Sequence, residues 1–276
     1  MAFQQLVVHA VDVVDGMDAL SIREILVLLA VALIVMHDVE HFVKVLFCVT
    51  NPVYQFIIET YKRGDKTALT KNFTRDEFEC QCKKCDAQMI DLELVDKLQS
   101  IRDVLGVKLK VTSGYRCITH NAKVHGSSHS KHLYGFAADW RTLDRVVNPV
   151  ALGIIAQAVG FGGIGIYWHS EAAMCHADTR AGKATWLCTS PGVYPSTTYN
   201  SFILPTIRQG SVGAANRSAI ILLQKLLKIK EDGNFGPATT QALLSAQKQN
   251  GLVADGICGP ASWKKLSGAD KYLAKL

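Results

Sequence analysis

Residues 111–139, around which the chain is organised, read VTSGYRCITHNAKVHGSSHSKHLYGFAAD. Near its end it places an imidazole at His132 and a carboxylate at Asp139, and Gly135 between them permits a tight backbone path. The apolar run before Asp139 predicts a buried strand, where a lone carboxylate would be costly without a cation. Catalytic zinc uses about three His and carboxylate ligands and one open position. The spacing alone leaves two interpretations open, a metal site and a salt-bridged core aspartate near a surface histidine.

Two longer patterns in the same region carry a family resemblance. S-G-Y-R-C with a following H-N occupies 113–117 and 120–121, and the fixed positions of S-x-H-x-x-G-x-A-x-D are all present, at Ser130, His132, Gly135, Ala137 and Asp139. From about residue 69 to residue 186 the chain resembles the zinc D-alanyl-D-alanine carboxypeptidase family, which includes phage L-alanyl-D-glutamate endolysins and shares its fold with the hedgehog signalling domain. The resemblance implies an α+β fold, a small antiparallel sheet with helices, and a zinc cofactor.

The third zinc ligand is expected further along the chain, at His169 or His176. In the family it ends a strand after a G-G-I-G-x-Y segment and often reads H-x-D-x-R-x-G. Here GGIGIY occupies 162–167 and HADTRAG occupies 176–182, so the resemblance favours His176. The glycines precede an apolar strand, which indicates close strand packing in the metal site rather than a phosphate loop.

The resemblance implies hydrolysis of a stem-peptide bond in bacterial peptidoglycan, by a metallopeptidase of the D-alanyl-D-alanine carboxypeptidase or L-alanyl-D-glutamate endopeptidase type. It also implies that Arg116 holds a substrate carboxylate in a bidentate pair, and the alternative for Arg116 is a structural ion pair. Many relatives carry an acid three residues before the last zinc histidine, but that position is Ala173 here. Asp178 is the expected general base, with Glu171 second. Asp178 has an alternative role as the partner that fixes the tautomer of the ligand histidine.

The C-terminal part contains an internal repeat. DGNFGPA at 232–238 and DGICGPA at 255–261 lie 23 residues apart, and each places Asp-Gly in a turn and Gly-Pro where a helix can start. From about 217 to 266 the pattern resembles the peptidoglycan-binding three-helix module. That resemblance implies an all-α wall-binding module with bacterial peptidoglycan as partner, and the alternative is a helical dimerisation domain.

These patterns divide the chain into six predicted segments: an apolar helical docking or anchor segment (1–60), a linker (61–68), the zinc peptidase domain (69–186), a second linker (187–216), the peptidoglycan-binding domain (217–267) and a tail (268–276). Each of the two apolar blocks in the first segment is shorter than the roughly 20 residues of a spanning helix. No positively charged stretch precedes them, so a cleavable signal peptide is not expected. A helical hairpin, an uncleaved membrane anchor and docking to a virion or membrane partner remain open, with docking or helical packing favoured.

The net charge of +6 is distributed unevenly along the chain. Residues 1–60 contribute −5, residues 61–216 contribute +6 and residues 217–276 contribute +5. The basic parts favour an anionic partner such as the carboxylates and phosphates of a bacterial wall. The basic stripe interleaved with aromatic residues that is typical of nucleic-acid binders is absent from the sequence, so no nucleic-acid partner is expected.

The chain has eight cysteines, too few for a disulfide scaffold. A C-x-C-x-x-C motif at 80–85 and Cys117 could form a second, structural zinc site of the four-thiolate kind, with disulfides or free thiols as alternatives. Taken together, the sequence predicts a phage-type, endolysin-like zinc peptidase acting on the bacterial cell wall, in the periplasm or outside the cell, with virion association left open. The alternative is a non-catalytic phage virion or tail-associated wall-binding protein.

Overall fold

The structure, a computed structural model, describes residues 58–169, 172–197 and 202–276. The predicted docking or anchor segment lies outside the described residues except for its last three, and Glu171 also lies outside them. Within these ranges, no helix combines the length and the hydrophobicity needed to cross a membrane.

The described elements confirm a mixed α+β fold. The strands are β1 (Ile58–Lys62), β2 (Ala87–Asp91), β3 (Leu109–Ser113), β4 (Ala137–Thr142), β5 (Gly163–His169), β6 (Ala172–Asp178), β7 (Ala184–Cys188) and β8 (Ser196–Thr197). The helices are α1 (Leu92–Leu105), α2 (Ile118–Lys123), α3 (Pro149–Val159), α4 (Ala214–Leu227), α5 (Pro237–Gln249), α6 (Pro260–Ser267) and α7 (Asp270–Leu273), with 3-10 turns at Arg75–Phe78 and Lys131–Tyr134.

The larger sheet has six strands in the order β3-β4-β6-β5-β7-β8. Its pairs are antiparallel except for β5 and β7, which run parallel, so the predicted small antiparallel sheet gains one parallel pair. β4 and β6 are neighbours, and Asp139 lies directly opposite His176 in their register. The sheet thereby brings together two residues that are 37 positions apart in sequence.

Helices α1 and α3 form where sequence patterns predict helices: apolar residues recur every three or four positions from Leu94 to Leu105 before Gly106, and an apolar run over 148–159 is closed by Gly160. The side chain of Asp91 accepts a hydrogen bond from the Glu93 N–H at the start of α1, and Gly106 ends that helix in the left-handed conformation at φ 68°. The apolar stripe of α1 is buried in the core with Trp140 of β4. Asn148 caps α3 by accepting from the Ala151 N–H, 3.0 Å away.

Both predicted linkers are wrong in part, because they contain residues of the folded core. Tyr61 belongs to β1 and is 6% exposed, and Leu187 belongs to β7 and is 1% exposed. Ile203 and Ile207 are also buried. These apolar side chains occur singly among Pro, Ser, Thr and Gly, so no periodic pattern marks them, yet burying each one removes a large apolar surface from water.

The 23-residue repeat is a repeat of structure as well as of sequence. The amide of Gln224 in α4 donates to Asp232 Oδ1 at 2.8 Å and to the Asn234 carbonyl at 3.1 Å, and its oxygen accepts from the Gly233 N–H at 2.9 Å. Gln247 in α5 makes the same three bonds one period later, to Asp255, Ile257 and Gly256 at 2.9, 3.0 and 3.0 Å. Each glutamine is 1% exposed, so one buried amide holds each Asp-Gly turn against the preceding helix.

The C-terminal helices pack against the rest of the chain. Trp263 of α6 is fully buried, and its Nε1 donates to the Pro205 carbonyl at 2.9 Å. Ile207 and Cys258 exchange two backbone hydrogen bonds of 3.1 and 2.8 Å. Asn148, the cap of α3, donates from Nδ2 to the Ser267 carbonyl at 2.9 Å. The helical module is therefore docked on the sheet-bearing region through α3 and residues 203–207.

Candidate metal centre

Three side chains converge at the junction of β4, β6 and the Lys131–Tyr134 turn. Asp139 Oδ1 lies 2.9 Å from His176 Nδ1 and 3.4 Å from His132 Nε2, and the two ring nitrogens are 3.2 Å apart. Zinc with ligands at 2.0–2.1 Å in a tetrahedron separates them by roughly 3.3 Å. The donor set and its spacing therefore fit zinc, with one tetrahedral position left for a further ligand.

The geometry of His132 turns a lone pair toward the centre. Its Nδ1 lies 2.7 Å from the Gly114 carbonyl, which can only accept, so Nδ1 carries the proton and Nε2 faces Asp139 and His176 without one. Burial lowers the pKa of His132, which favours this neutral form. Gly135, at φ 74°, ends the turn, and a Cβ there would lie 2.6 Å from the Met89 carbonyl oxygen. The backbone therefore follows the tight path that Gly135 permits, and a larger residue would not fit there.

His176 lies between two carboxylates. Nδ1 faces Asp139, and Nε2 lies 3.1 Å from Asp178 Oδ2. Burial by itself lowers the pKa of His176, but its hydrogen bonds to the two carboxylates outweigh burial and raise the pKa above the ordinary value. A cation between Nδ1 and Asp139 would take the place of the Nδ1 proton, while Asp178 keeps the proton on Nε2.

Asp178 is fully buried and its oxygens are occupied. Arg180 donates to it from Nε at 2.7 Å, from a terminal nitrogen at 2.6 Å and from its backbone N–H at 3.1 Å. Burial alone would raise the pKa of Asp178, but the bonds from His176 and Arg180 outweigh burial and hold the pKa well below its ordinary range. The general-base role expected for Asp178 is thus in conflict with this geometry, because the carboxylate faces the ring nitrogen of His176 that points away from the centre. The geometry fits the alternative role of orienting that ring.

Asp139 is ionised and bonded on both oxygens. Burial alone would raise its pKa, but the interactions with His132 and His176 hold it well below the ordinary value. Its Oδ2 accepts a hydrogen bond from a terminal nitrogen of Arg116, whose Nε donates to Ser113 Oγ at 2.8 Å. Arg116 therefore lies beside the centre and forms an ion pair with a proposed ligand, as in the structural alternative for this residue.

The glycines of the GGIGIY segment make room for the side chains around His176. A Cβ on Gly163 would lie 2.1 Å from Asp178 Oδ2, and a Cβ on Gly165 would lie 2.5 Å from Trp186 Nε1. The Trp186 ring packs on His176 with centroids 5.0 Å apart, and its Nε1 donates to the Tyr167 hydroxyl at 2.9 Å. Close packing is therefore the reason for these glycines, as the sequence indicates.

Two residues near the centre were not predicted from the sequence. Arg180 donates to Asp178, and Trp186 packs on His176. The R-x-G of HADTRAG is the only sequence signal for either residue. Within the described residues, His169 ends β5 outside the converging group. His129 is exposed and its Nδ1 lies 3.1 Å from Ser128 Oγ.

Comparison with known proteins agrees with the two resemblances. Residues 71–178 match the family model Peptidase M15, and residues 216–266 match the model of a peptidoglycan binding domain. A stretch of 44 residues is 48% identical to the zinc D-Ala-D-Ala carboxypeptidase of Streptomyces albus G. That alignment covers 16% of this chain and 17% of the relative, so the chain spans only about a sixth of the length of the curated relative it matches.

Proposed function

We propose that this chain is a zinc-dependent peptidoglycan peptidase, in which residues 71–178 cut a stem-peptide bond and residues 216–266 bind the wall. The observation that carries the proposal is the convergence of His132, Asp139 and His176, with both rings held in the tautomer that a metal requires. The Peptidase M15 match covers all three residues. Zinc bound there would polarise the scissile carbonyl and lower the pKa of a bound water.

Other residues around the centre would orient its ligands and bind the substrate. Gly114 and Asp178 orient the two histidines, and the ion pair with the half-buried Arg180 keeps Asp178 ionised in that role. Arg116 is the proposed partner of a substrate carboxylate, because a guanidinium can engage a second carboxylate while it contacts Asp139.

The proton acceptor is proposed to be Glu171. It follows β5 and precedes β6 in sequence, and it is the second carboxylate that the sequence offers for this role. Asp178 is the weaker candidate because its oxygens already accept bonds from His176 and Arg180. Glu171→Gln with zinc fully bound should lower turnover by about 10²–10⁴-fold, the usual effect of removing a general base. Unchanged turnover would remove Glu171 from the mechanism.

The test of the function is digestion of purified peptidoglycan by the full chain, with mass analysis of the released fragments. Loss of a terminal D-alanine would identify carboxypeptidase activity, and cleavage between L-alanine and D-glutamate would identify endopeptidase activity. His132→Ala should abolish release, whereas His129→Ala, an exposed histidine outside the centre, should not. A protein that holds zinc and binds the wall yet releases nothing would favour the non-catalytic wall-binding alternative. A phage endolysin role belongs to the same proposal, and its test is lysis of cells from within after expression with a pore-forming partner.

A further inference from the structure

A second group of potential metal ligands lies outside the centre described above. The side chains of Cys80, Cys82, Cys85 and Cys117 bring their four Sγ atoms within 4.8 Å of one another. Cys82 Sγ is 3.3 Å from Cys85 Sγ and 3.8 Å from Cys117 Sγ. In a tetrahedral zinc site with Zn–S bonds of 2.3 Å, the sulfurs are roughly 3.8 Å apart. All four cysteines are free, and the sulfurs meet at one point instead of separating into two bonded pairs.

The backbone around this cluster directs N–H groups at the sulfurs. Cys82 Sγ accepts from the N–H groups of Lys84 and Cys85, at 3.3 and 3.4 Å, and Cys80 Sγ accepts from the Cys117 N–H at 3.4 Å. Lys83 adopts a left-handed conformation at φ 57°, which turns the loop so that both N–H groups face one sulfur. Such bonds stabilise thiolates, the form in which cysteine binds metals.

The Arg63 guanidinium, which also pairs with Glu79 at 3.0 Å, faces the cluster. A terminal nitrogen of Arg63 lies 3.6 Å from Cys85 Sγ and donates to the Cys80 carbonyl at 2.7 Å, and its Nε donates to the Cys85 carbonyl at 2.9 Å. Four thiolates around a divalent ion leave a net charge of −2, and a guanidinium nearby offsets part of it. Gln88 adds a further N–H donor, 3.5 Å from Cys85 Sγ.

We propose that these four cysteines bind a structural zinc ion that joins the loop of residues 80–85 to the turn before α2. Cys117 follows Arg116 directly, and the Arg116 backbone N–H donates to the His132 carbonyl at 2.9 Å. The cysteine site would therefore hold in place the turn that carries the arginine beside the catalytic centre. Four sulfur ligands leave no open position, as expected of a structural site. The inference does not depend on peptidase activity.

The first test measures the number of metal ions per chain in the purified, dialysed full chain by inductively coupled plasma mass spectrometry. Two zinc ions per chain are expected, one for each group. Cys82→Ser and His132→Ala should each lose one of them, and Cys188→Ser, a thiol outside both groups, should keep both. One zinc in the natural protein, unchanged by Cys82→Ser, would overturn the proposal, and iron at the cysteine site would overturn the choice of metal.

A second test does not require a variant of the cluster to fold. Cobalt replacing zinc absorbs in the near ultraviolet when thiolates bind it, and the His and Asp centre contains no sulfur. This absorption should appear in the natural protein and persist in His132→Ala, and its absence from the natural protein would refute the site. When the protein is purified without reductant, denatured and treated with chelator, titration should find eight reactive thiols per chain. A loss of four thiols to disulfides would equally refute it.

Discussion

Replacing Asp178 by Asn separates an orienting role from a catalytic one. In the structure, Oδ2 accepts from His176 Nε2 and a terminal nitrogen of Arg180, while Oδ1 accepts from Arg180 Nε and its backbone N–H. An asparagine has one oxygen and one NH₂ group, so in either orientation its NH₂ group faces two N–H donors. The variant therefore loses two of the four bonds, and in the orientation that turns the NH₂ group toward His176 it no longer holds the proton on Nε2.

The expected magnitude follows from this loss. Removing a carboxylate that orients a ligand histidine weakens metal binding by roughly 10–100-fold, or about 1.4–2.8 kcal/mol. Arg180 retains a path to solvent, with 24% of its side chain exposed, so its charge is not left buried without a partner. We expect a folded variant whose turnover is near that of the natural protein once zinc saturates the site.

The assay is release of stem-peptide fragments measured as zinc is added to metal-free protein. The expected result is a curve shifted to higher zinc with a similar plateau. Asp96→Asn, the same chemical change at an exposed position of α1, should leave both the midpoint and the plateau unchanged. A plateau lowered by about 10²–10⁴-fold would show that Asp178 accepts the proton itself, and the reasoning above would be refuted.

Three further outcomes are expected. Gln247→Leu leaves the buried Gly256 N–H and Ile257 carbonyl without partners and should lower the free energy of unfolding in urea by about 2–6 kcal/mol. Gln241→Leu, at an exposed position of the same helix, should change it by less than about 0.5 kcal/mol. Equal effects would contradict the role of the buried amide in the repeat. The melting temperature of the fragment 202–276 should exceed that of 213–276 by more than about 10 °C, because the shorter fragment lacks the hydrogen bonds that residues 205–207 make to α6 and to the turn before it. Equal melting temperatures would show that these hydrogen bonds do not stabilise the module. Chelating zinc should lower the melting temperature of the full chain by at least about 5 °C, because metal at 100 times its dissociation constant adds about 2.7 kcal/mol to the free energy of unfolding. Adding zinc, but not magnesium, should restore the melting temperature. No change on chelation would argue against bound zinc.

The residues of the centre differ in how far the sequence could predict them. His132 and Asp139 are seven residues apart and joined by one turn, so local chemistry suggested the pair, but only the resemblance favoured a metal site over a salt-bridged core aspartate. His176 required the resemblance, because its approach to Asp139 depends on strand pairing between β4 and β6 that no local pattern reveals. Asp178 lies two residues beyond His176, so on a strand the two side chains share a face, but spacing cannot say which ring nitrogen a carboxylate meets.

The predicted linkers failed for a related reason. A periodic stripe identified α1 because its buried positions recur every three or four residues, whereas Ile203 and Ile207 are buried as single contacts in irregular chain. Trp186 was placed at the end of the peptidase domain, and its packing on His176 depends on the absence of a side chain at Gly165, in the adjacent strand. Contacts of this kind between distant segments determine which side chains are buried, and they cannot be predicted from composition.

The docking of α6 on residues 203–207 and α3 has a mechanical consequence. A flexible tether lets a catalytic site sample a volume around its anchor, so that the effective concentration of target bonds depends on tether length. A packed junction fixes the offset between the anchored surface and the cutting site instead. If the proposed function holds, this fixed offset would confine cleavage to stem-peptide bonds that lie at one distance from the bound wall strand.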